Sequence, residues 1–297
     1  MNARSFRWSR MQPRKPEAST PAEMVLTLKL DKPISDLTWI QKSLLFAELS
    51  RLSYASPEAV AKIAYHAGFD RCDDVEHDGA EGYVLGNRHD CIIVCRGTEP
   101  NQWNDIRADA NAWTIASEVG RVHSGFYTEV NDLWPKLENK IKENQLPLWF
   151  AGHSLGGAMA GICAVRCKLA PIPSDPKAIF TYGAPRIGDR KYASFLKIKH
   201  YRWVNNNDVV PRVPPIWLGY HHMGQEIYLN RYGRISSIKS WLRVHDRFRG
   251  LLTSLRLWKL DYLSDHSMVE YISHIRALFE QELSGRKLRK PRHVPSQ

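Results

Sequence analysis

The chain has 297 residues, 43% of them hydrophobic, with 42 Lys and Arg against 31 Asp and Glu for a formal net charge of +11; this is enough to fill the core of one α/β domain. Ten of the eleven excess charges sit in two stretches without acids, at Arg4, Arg7, Arg10, Arg14 and Lys15 and at Arg286, Lys287, Arg289, Lys290 and Arg292. The body is nearly neutral, which argues against a specific nucleic-acid-binding face. We therefore divide the chain into a basic, disordered arm over 1–23, a domain over 24–285 and a basic tail over 286–297; the two ends offer only weak, non-specific attraction to anionic lipid or nucleic acid.

Met24 to Leu30 alternates over a short run and reads as an edge strand after a Pro/Ser/Thr-rich linker. Leu37 to Leu52 carries apolar residues at helical spacing, and a second helix starts at Pro57 behind the N-cap Ser56 and runs to about Ala67. Gly82 to Leu85 and Cys91 to Cys95 read as a hairpin across Gly86-Asn87, and the second strand ends in Arg96-Gly97-Thr98. Glu99 to Ser117 is polar but studded with Trp103, Ile106 and Trp113; it is either a surface loop or a lid over a site. Phe126 to Lys142 has a helical stripe at Val130, Leu133, Leu137 and Ile141.

Pro147 to Ala151 is a buried-strand pattern, and Leu155 to Ala170 a helix of small residues. Between them Gly152-His153-Ser154-Leu155-Gly156 fits a nucleophile elbow, a sharp strand-to-helix turn that exposes a serine hydroxyl and needs glycines so that strand and helix can approach. The Leu155 N–H, at a helix N-terminus, would face a developing oxyanion, and the Gly97-Thr98 strand end would supply a second donor. Strands follow at Ala178 to Tyr182 and at His200 to Val204, the second ending in Asn207-Asp208-Val209-Val210-Pro211. Alternating strands and helices imply a mostly parallel sheet with its ligands outside the carboxyl ends of the strands.

A serine nucleophile needs a histidine to take its proton and a carboxylate to orient that histidine, in the order Ser, acid, His for this turn type. Asp208, just past a strand end, is placed better than Asp175 or Asp189, although it also suits an Asx turn before Val-Val-Pro. His266 in Ser264-Asp265-His266-Ser267, at the start of the last helix, is the best base; His123 breaks the order, and His221, His222 and His245 are poorer candidates.

Arg96-Gly97-Thr98, Val122-His123-Ser124-Gly125-Phe126, the elbow, Tyr182-Gly183-Ala184-Pro185-Arg186-Ile187-Gly188-Asp189, Asn207-Asp208-Val209-Val210-Pro211 and Asp265-His266 form six ordered blocks, which resemble those of the class 3 lipases, fungal-lipase-like α/β-hydrolases. The resemblance runs from about Leu37 to Ile275. It implies an α/β-hydrolase fold with Ser154 as nucleophile, Asp208 as acid, His266 as base, Thr98 and Leu155 as oxyanion donors and Glu99 onward as the lid.

The expected activity is cofactor-independent hydrolysis of lipid carboxylic esters, such as acylglycerols, through an acyl-enzyme. Phospholipase, acyltransferase or thioesterase chemistry on the same triad is the alternative, and an inactive membrane-associated binding protein is the rival of a different class. Five cysteines without pairing spacings, no metal-ligand pattern, no apolar leader in the first 23 residues and no membrane-spanning run lead us to expect a soluble, cytoplasmic protein without a disulfide framework or metal. Trp241 to Trp258 reads as a basic amphipathic helix with an apolar arc of about 120°. It either packs on the sheet or lies in a lipid interface, the second giving peripheral membrane contact.

Overall fold

The computed structural model describes residues 24–97, 113–236 and 265–286. Its centre is a seven-stranded sheet in the order β1-β2-β3-β6-β7-β8-β9, formed by β1 Arg71–His77, β2 Ala80–Gly86, β3 Cys91–Cys95, β6 Leu148–His153, β7 Pro176–Tyr182, β8 Lys199–Asn205 and β9 Gln225–Leu229. The first three strands pair antiparallel, and every pair from β3 to β9 is parallel. A small antiparallel ribbon, β4 Thr114–Ala116 with β5 Arg121–His123, stands apart from this sheet. This mostly parallel sheet flanked by helices is the α/β-hydrolase architecture.

Six helices complete the described residues: α1 Trp39–Leu52, α2 Pro57–His66, α3 Ser124–Ile141, α4 Leu155–Leu169, the four-residue α5 Arg190–Ala193 and α6 Met268–Leu283. Their starts follow from local chemistry. Thr38 and Gln41 exchange side-chain-to-backbone hydrogen bonds in a capping box at α1. Ser56 accepts from the Ala59 N–H with Pro57 in the first turn of α2, and Ser267 accepts from the Val269 N–H at α6.

Both faces of the sheet are covered, so β3 and β6 run apolar over Cys91 to Cys95 and Leu148 to Ala151, while β8 alternates buried His200 and Arg202 with Tyr201 and Trp203. On one face Trp149, Ala151, Phe180, Tyr182 and Trp203 pack with α1 and α6. On the other, Phe150 and Ile179 join α3 and α4. Burying one large apolar side chain contributes roughly 1.5–3 kcal/mol, so the two layers hold the carboxyl ends of β6, β7 and β8 firmly side by side.

The structure corrects one expected element. Met24 to Leu30 forms no strand; its polar groups are taken by helices instead. The Thr27 N–H and hydroxyl donate to the Glu48 carboxylate at 2.8 and 2.6 Å, and the Leu30 N–H donates to the Ala67 carbonyl at 2.8 Å. Two strands of the central sheet are additional, β1, joined to β2 through Asp78-Gly79 with φ of 50° and 92°, and β9 at the opposite edge, as are both strands of the β4-β5 ribbon. All five cysteines are free thiols, with Cys91 and Cys95 on the same strand. Among the described residues no helix is long and apolar enough to cross a membrane.

Candidate active site

The turn between β6 and α4 holds Ser154 at φ 59° and ψ −129°, a conformation costly to any residue with a Cβ, of order 1–3 kcal/mol. The surroundings over-determine it. The Ser154 N–H donates to the Tyr182 carbonyl at 2.9 Å, and the Ser154 carbonyl accepts from the Gly157 N–H at 3.0 Å. A Cβ at Gly152 would collide with the Gly156 carbonyl, and one at Gly156 with the Cys95 carbonyl at the end of β3. Both glycines are therefore required by contact, and their absent side chains let β3, β6 and α4 converge behind the serine.

Ser154, Asp208 and His266, which the sequence places far apart, meet at the carboxyl ends of β6 and β8. The Ser154 Oγ lies 2.7 Å from His266 Nε2, and His266 Nδ1 lies 2.9 Å from Asp208 Oδ2. All three are buried. Since the carboxylate can only accept, Nδ1 carries the ring proton, and Nε2 is left as acceptor for the serine hydroxyl. The arrangement can accept a proton from Ser154 and hold the resulting imidazolium against a negative charge.

Each member of this chain has its own support. Asp208 Oδ1 accepts from the Val210 N–H at 2.9 Å and Oδ2 from the Tyr271 hydroxyl at 2.7 Å. Burial, reinforced by the Asp208 charge, pushes the Tyr271 phenol well above its ordinary range, which keeps it a donor. The Tyr271 oxygen also accepts from the Asn205 N–H at 2.9 Å, which ties α6 to the end of β8. Asp265 docks on the same turn: its carboxylate accepts from the Asn206 side chain and the Asn207 N–H, both at 3.2 Å, and its carbonyl from the Asn205 amide at 3.0 Å. The residue before the histidine thus carries it to the residue that orients it.

His153, immediately before the serine, holds His266 from the other side. Its Nε2 lies 2.8 Å from the His266 carbonyl, its Nδ1 3.0 Å from the Tyr54 hydroxyl, and the two imidazole centroids are 4.5 Å apart. Burial, with the neighbouring His266 second, pushes the His153 pKa well below that of an ordinary histidine. A neutral ring that must donate to a carbonyl through Nε2 accepts at Nδ1 from the tyrosine, so its tautomer is set. Gly183, at φ 60°, closes the site; a Cβ there would lie 2.7 Å from Asp208 Oδ2 and 2.8 Å from His266 Nδ1.

Leu155 is the first residue of α4, and the first N–H groups of a helix lack intrahelical partners, so its amide is available to an anion beside Ser154. Thr98, most of the expected lid and Trp241 to Trp258 lie outside the described residues. Sequence reasoning gave no role to His153, Tyr54, Tyr271, Asn205 or Asp265. His153 stands inside the elbow motif and Asp265 beside the candidate base, and that adjacency was the available signal. Among the described residues there is no group of three or more His, Cys, Asp or Glu side chains suited to a metal.

Comparison with known proteins gives concordant matches. Residues 92–217 match the profile of the family Lipase (class 3). A secreted mono- and diacylglycerol lipase 1 of Fusarium solani is 29% identical over 194 residues, 56% of this chain and 56% of that protein. A lipase of Rhizomucor miehei is 36% identical over 121 residues, covering 37% and 33% of the two chains, and the toxin TseL of Vibrio cholerae is 31% identical over 49% of this chain and 29% of its own length. The chain thus spans little more than half of these relatives at most. A solved triacylglyceride lipase of Rhizomucor miehei superposes with a TM-score of 0.57 at 20% identity, over 74% of this chain and 90% of that one.

Proposed function

Since the chain belongs to the class 3 lipase family, we propose that it is a serine hydrolase that cleaves carboxylic esters of lipids, with Ser154 as nucleophile, His266 as general base and acid, and Asp208 as the group that orients His266. The reading rests above all on the unbroken hydrogen-bond chain from Ser154 Oγ through His266 to Asp208 Oδ2.

As the Ser154 oxygen bonds to the ester carbonyl carbon, its proton passes to His266 Nε2, and Asp208 stabilises the imidazolium. The carbonyl oxygen becomes an oxyanion facing the Leu155 N–H, with Thr98 assigned as second donor on the sequence pattern. Collapse breaks the bond to the alcohol, which leaves with the proton from His266, and the acyl group stays on Ser154. Water then attacks the acyl-enzyme, giving its proton to His266, and the carboxylic acid is released as Ser154 regains a proton.

Acylglycerols are the proposed substrates, supported by the lipase names of several relatives. Peripheral lipid contact through Trp241 to Trp258 and the basic ends is part of the same proposal and rests on their sequence alone. The test is covalent labelling by a fluorophosphonate together with hydrolysis of matched tri- and monoacylglycerol, phospholipid and short-chain ester panels. Labelling of the parent chain, its loss in Ser154→Ala and a fall in turnover of several orders of magnitude are expected. Full turnover by Ser154→Ala would refute the assignment.

A further inference from the structure

The loop that follows Asp208 ends in a feature the proposed chemistry does not use. Ile216, Trp217 and Leu218 form a single 3-10 turn, and all three are solvent-exposed, at 41%, 69% and 52%. A lone exposed apolar residue needs no explanation; three consecutive large ones on one turn do.

The base of this loop is braced on the site. Asp208 receives the Val210 N–H, and the Arg186 guanidinium donates to the carbonyls of Arg212 and, at 2.8 Å, Pro214. The Arg186 N–H donates to the Val213 carbonyl at 2.8 Å, and the His221 N–H to that of Gly188 at 2.7 Å. Both ends of the loop are thus fixed to the segment that follows β7, beside Gly183 and the Asp208-His266 pair. The turn is a rigid projection from the end of the sheet to which the ester must come.

Geometry and charge select its occupant. Successive residues of a 3-10 helix are about 120° apart, so the three side chains radiate around the turn. A flat protein face would cover one or two of them, whereas a fluid apolar phase covers all three at once. The sequence from Val209 to Gly224 holds no acidic residue and includes Arg212. Arg121, exposed on neighbouring β5, spends its guanidinium on the Thr114 hydroxyl and carbonyl, both neutral groups. An apolar tip ending in a tryptophan, above cationic shoulders, matches the acyl and headgroup layers of an anionic bilayer.

We propose that Ile216-Trp217-Leu218 is a fixed anchor that inserts into the surface of an anionic lipid bilayer and presents the Ser154 site to it. The proposal deepens the lipid-ester reading and rests on it for the orientation of the site. It is independent of the lid and of Trp241 to Trp258.

The test uses the full chain carrying Ser154→Ala and vesicles of ether-linked phosphatidylcholine and phosphatidylglycerol, which contain no ester to hydrolyse. Ile216→Ser/Trp217→Ser/Leu218→Ser should raise the apparent vesicle Kd roughly tenfold or more. In chains that keep Ser154, the same changes should leave turnover of a soluble ester within about twofold. Brominated lipid should quench the tryptophan fluorescence of the parent chain and quench that of Trp217→Phe much less, a comparison that does not depend on how the triple variant folds. Three results would overturn the anchor: no vesicle binding by the parent chain, equal binding by the triple variant, or equal quenching in Trp217→Phe. Equal binding joined to a change from dimer to monomer would make the turn a self-association surface instead. Loss of vesicle affinity in a chain whose Ser154 form cleaves no ester would leave the anchor standing and remove the proposed function.

Discussion

His153 offers a direct test of how the catalytic histidine is held. His153→Leu keeps the bulk of the side chain but removes the donor to the His266 carbonyl and the acceptor for the Tyr54 hydroxyl, which lie 2.8 and 3.0 Å from the ring nitrogens. Taking one partner from a buried hydrogen-bonding group costs about 1–3 kcal/mol; the His266 carbonyl is buried and the Tyr54 hydroxyl, half-buried, loses less, so we expect a loss of about 2–4 kcal/mol and a drop in Tm of roughly 5–15 °C for a domain of this size. The kinetic effect has a different origin. His266 keeps Asp208 on one side but loses the contact that fixes its backbone on the other, and a displacement near 1 Å costs on the order of 10²-fold in turnover. The measurement is kcat and KM on a soluble short-chain ester, 20 °C or more below the Tm of the variant, beside the rate of fluorophosphonate labelling. We expect kcat and labelling to fall together by about 10²-fold with KM within twofold. His153→Gln, whose amide can donate in place of Nε2–H, should recover most of that loss. Turnover of His153→Leu within threefold of the parent chain, or a glutamine variant no better than leucine, would refute the positioning role and leave His153 a packing residue.

Other groups around the site give independent outcomes. Gly183→Ala places a methyl group within 2.8 Å of both Asp208 and His266 at a φ of 60°; kcat should fall by about 10²-fold or more, with fluorophosphonate labelling lost in proportion. Tyr271→Phe removes the hydroxyl that bridges Asp208 and the Asn205 N–H, and chemical denaturation should show about 1–3 kcal/mol less stability with a smaller loss of turnover than Gly183→Ala. Burial pushes the His200 pKa down to about 3, so the unfolded chain binds a proton there that the folded chain does not as pH falls below about 6.5. Stability should therefore decrease toward acid by about 1.4 kcal/mol per pH unit from this group, starting near pH 6.5 and levelling off near pH 3. In His200→Gln the slope measured by denaturant titration between pH 6.5 and 5 should be shallower by about that amount.

The parts legible in the sequence are those whose function imposes a local pattern. Gly152 and Gly156 had to be glycines because the elbow brings backbone against backbone, and that demand is visible within five residues. The two-sided burial of β6 and β7 shows as apolar runs at Leu148 to Ala151 and Ala178 to Phe180, whereas β8 buries His200 and Arg202 in alternation with Tyr201 and Trp203. Edge elements lack that signature: Val75 is the single buried residue of β1, and β9 buries Ile227 and Leu229 alone. Met24 to Leu30 had the alternation of a strand, but its donors found a buried glutamate and a helix end, a tertiary choice that periodicity does not encode. The supporting residues were hidden for the same reason. Tyr54 lies 99 positions from His153 and Tyr271 lies 63 from Asp208, so only the folded topology gives those hydroxyls their work.

The separation of acid and base along the chain also has a structural logic. Asp208 and His266 are 58 residues apart, a span that on its own would make their approach an entropic burden. The span is tied back to the sheet at two places. Within it, β9 pairs with β8 and the Ser236 N–H donates to the Tyr228 carbonyl at 3.0 Å; at its end, Asp265 grips Asn206 and Asn207, and Tyr271 grips Asp208 and Asn205. The geometry of the pair is thus set by contacts between α6 and the end of β8. Those contacts concentrate on the Asn205-Asn206-Asn207 turn, whose backbone and side-chain N–H groups donate four of them. Three asparagines in a row before the acid are in this light a docking platform for the segment that brings the base.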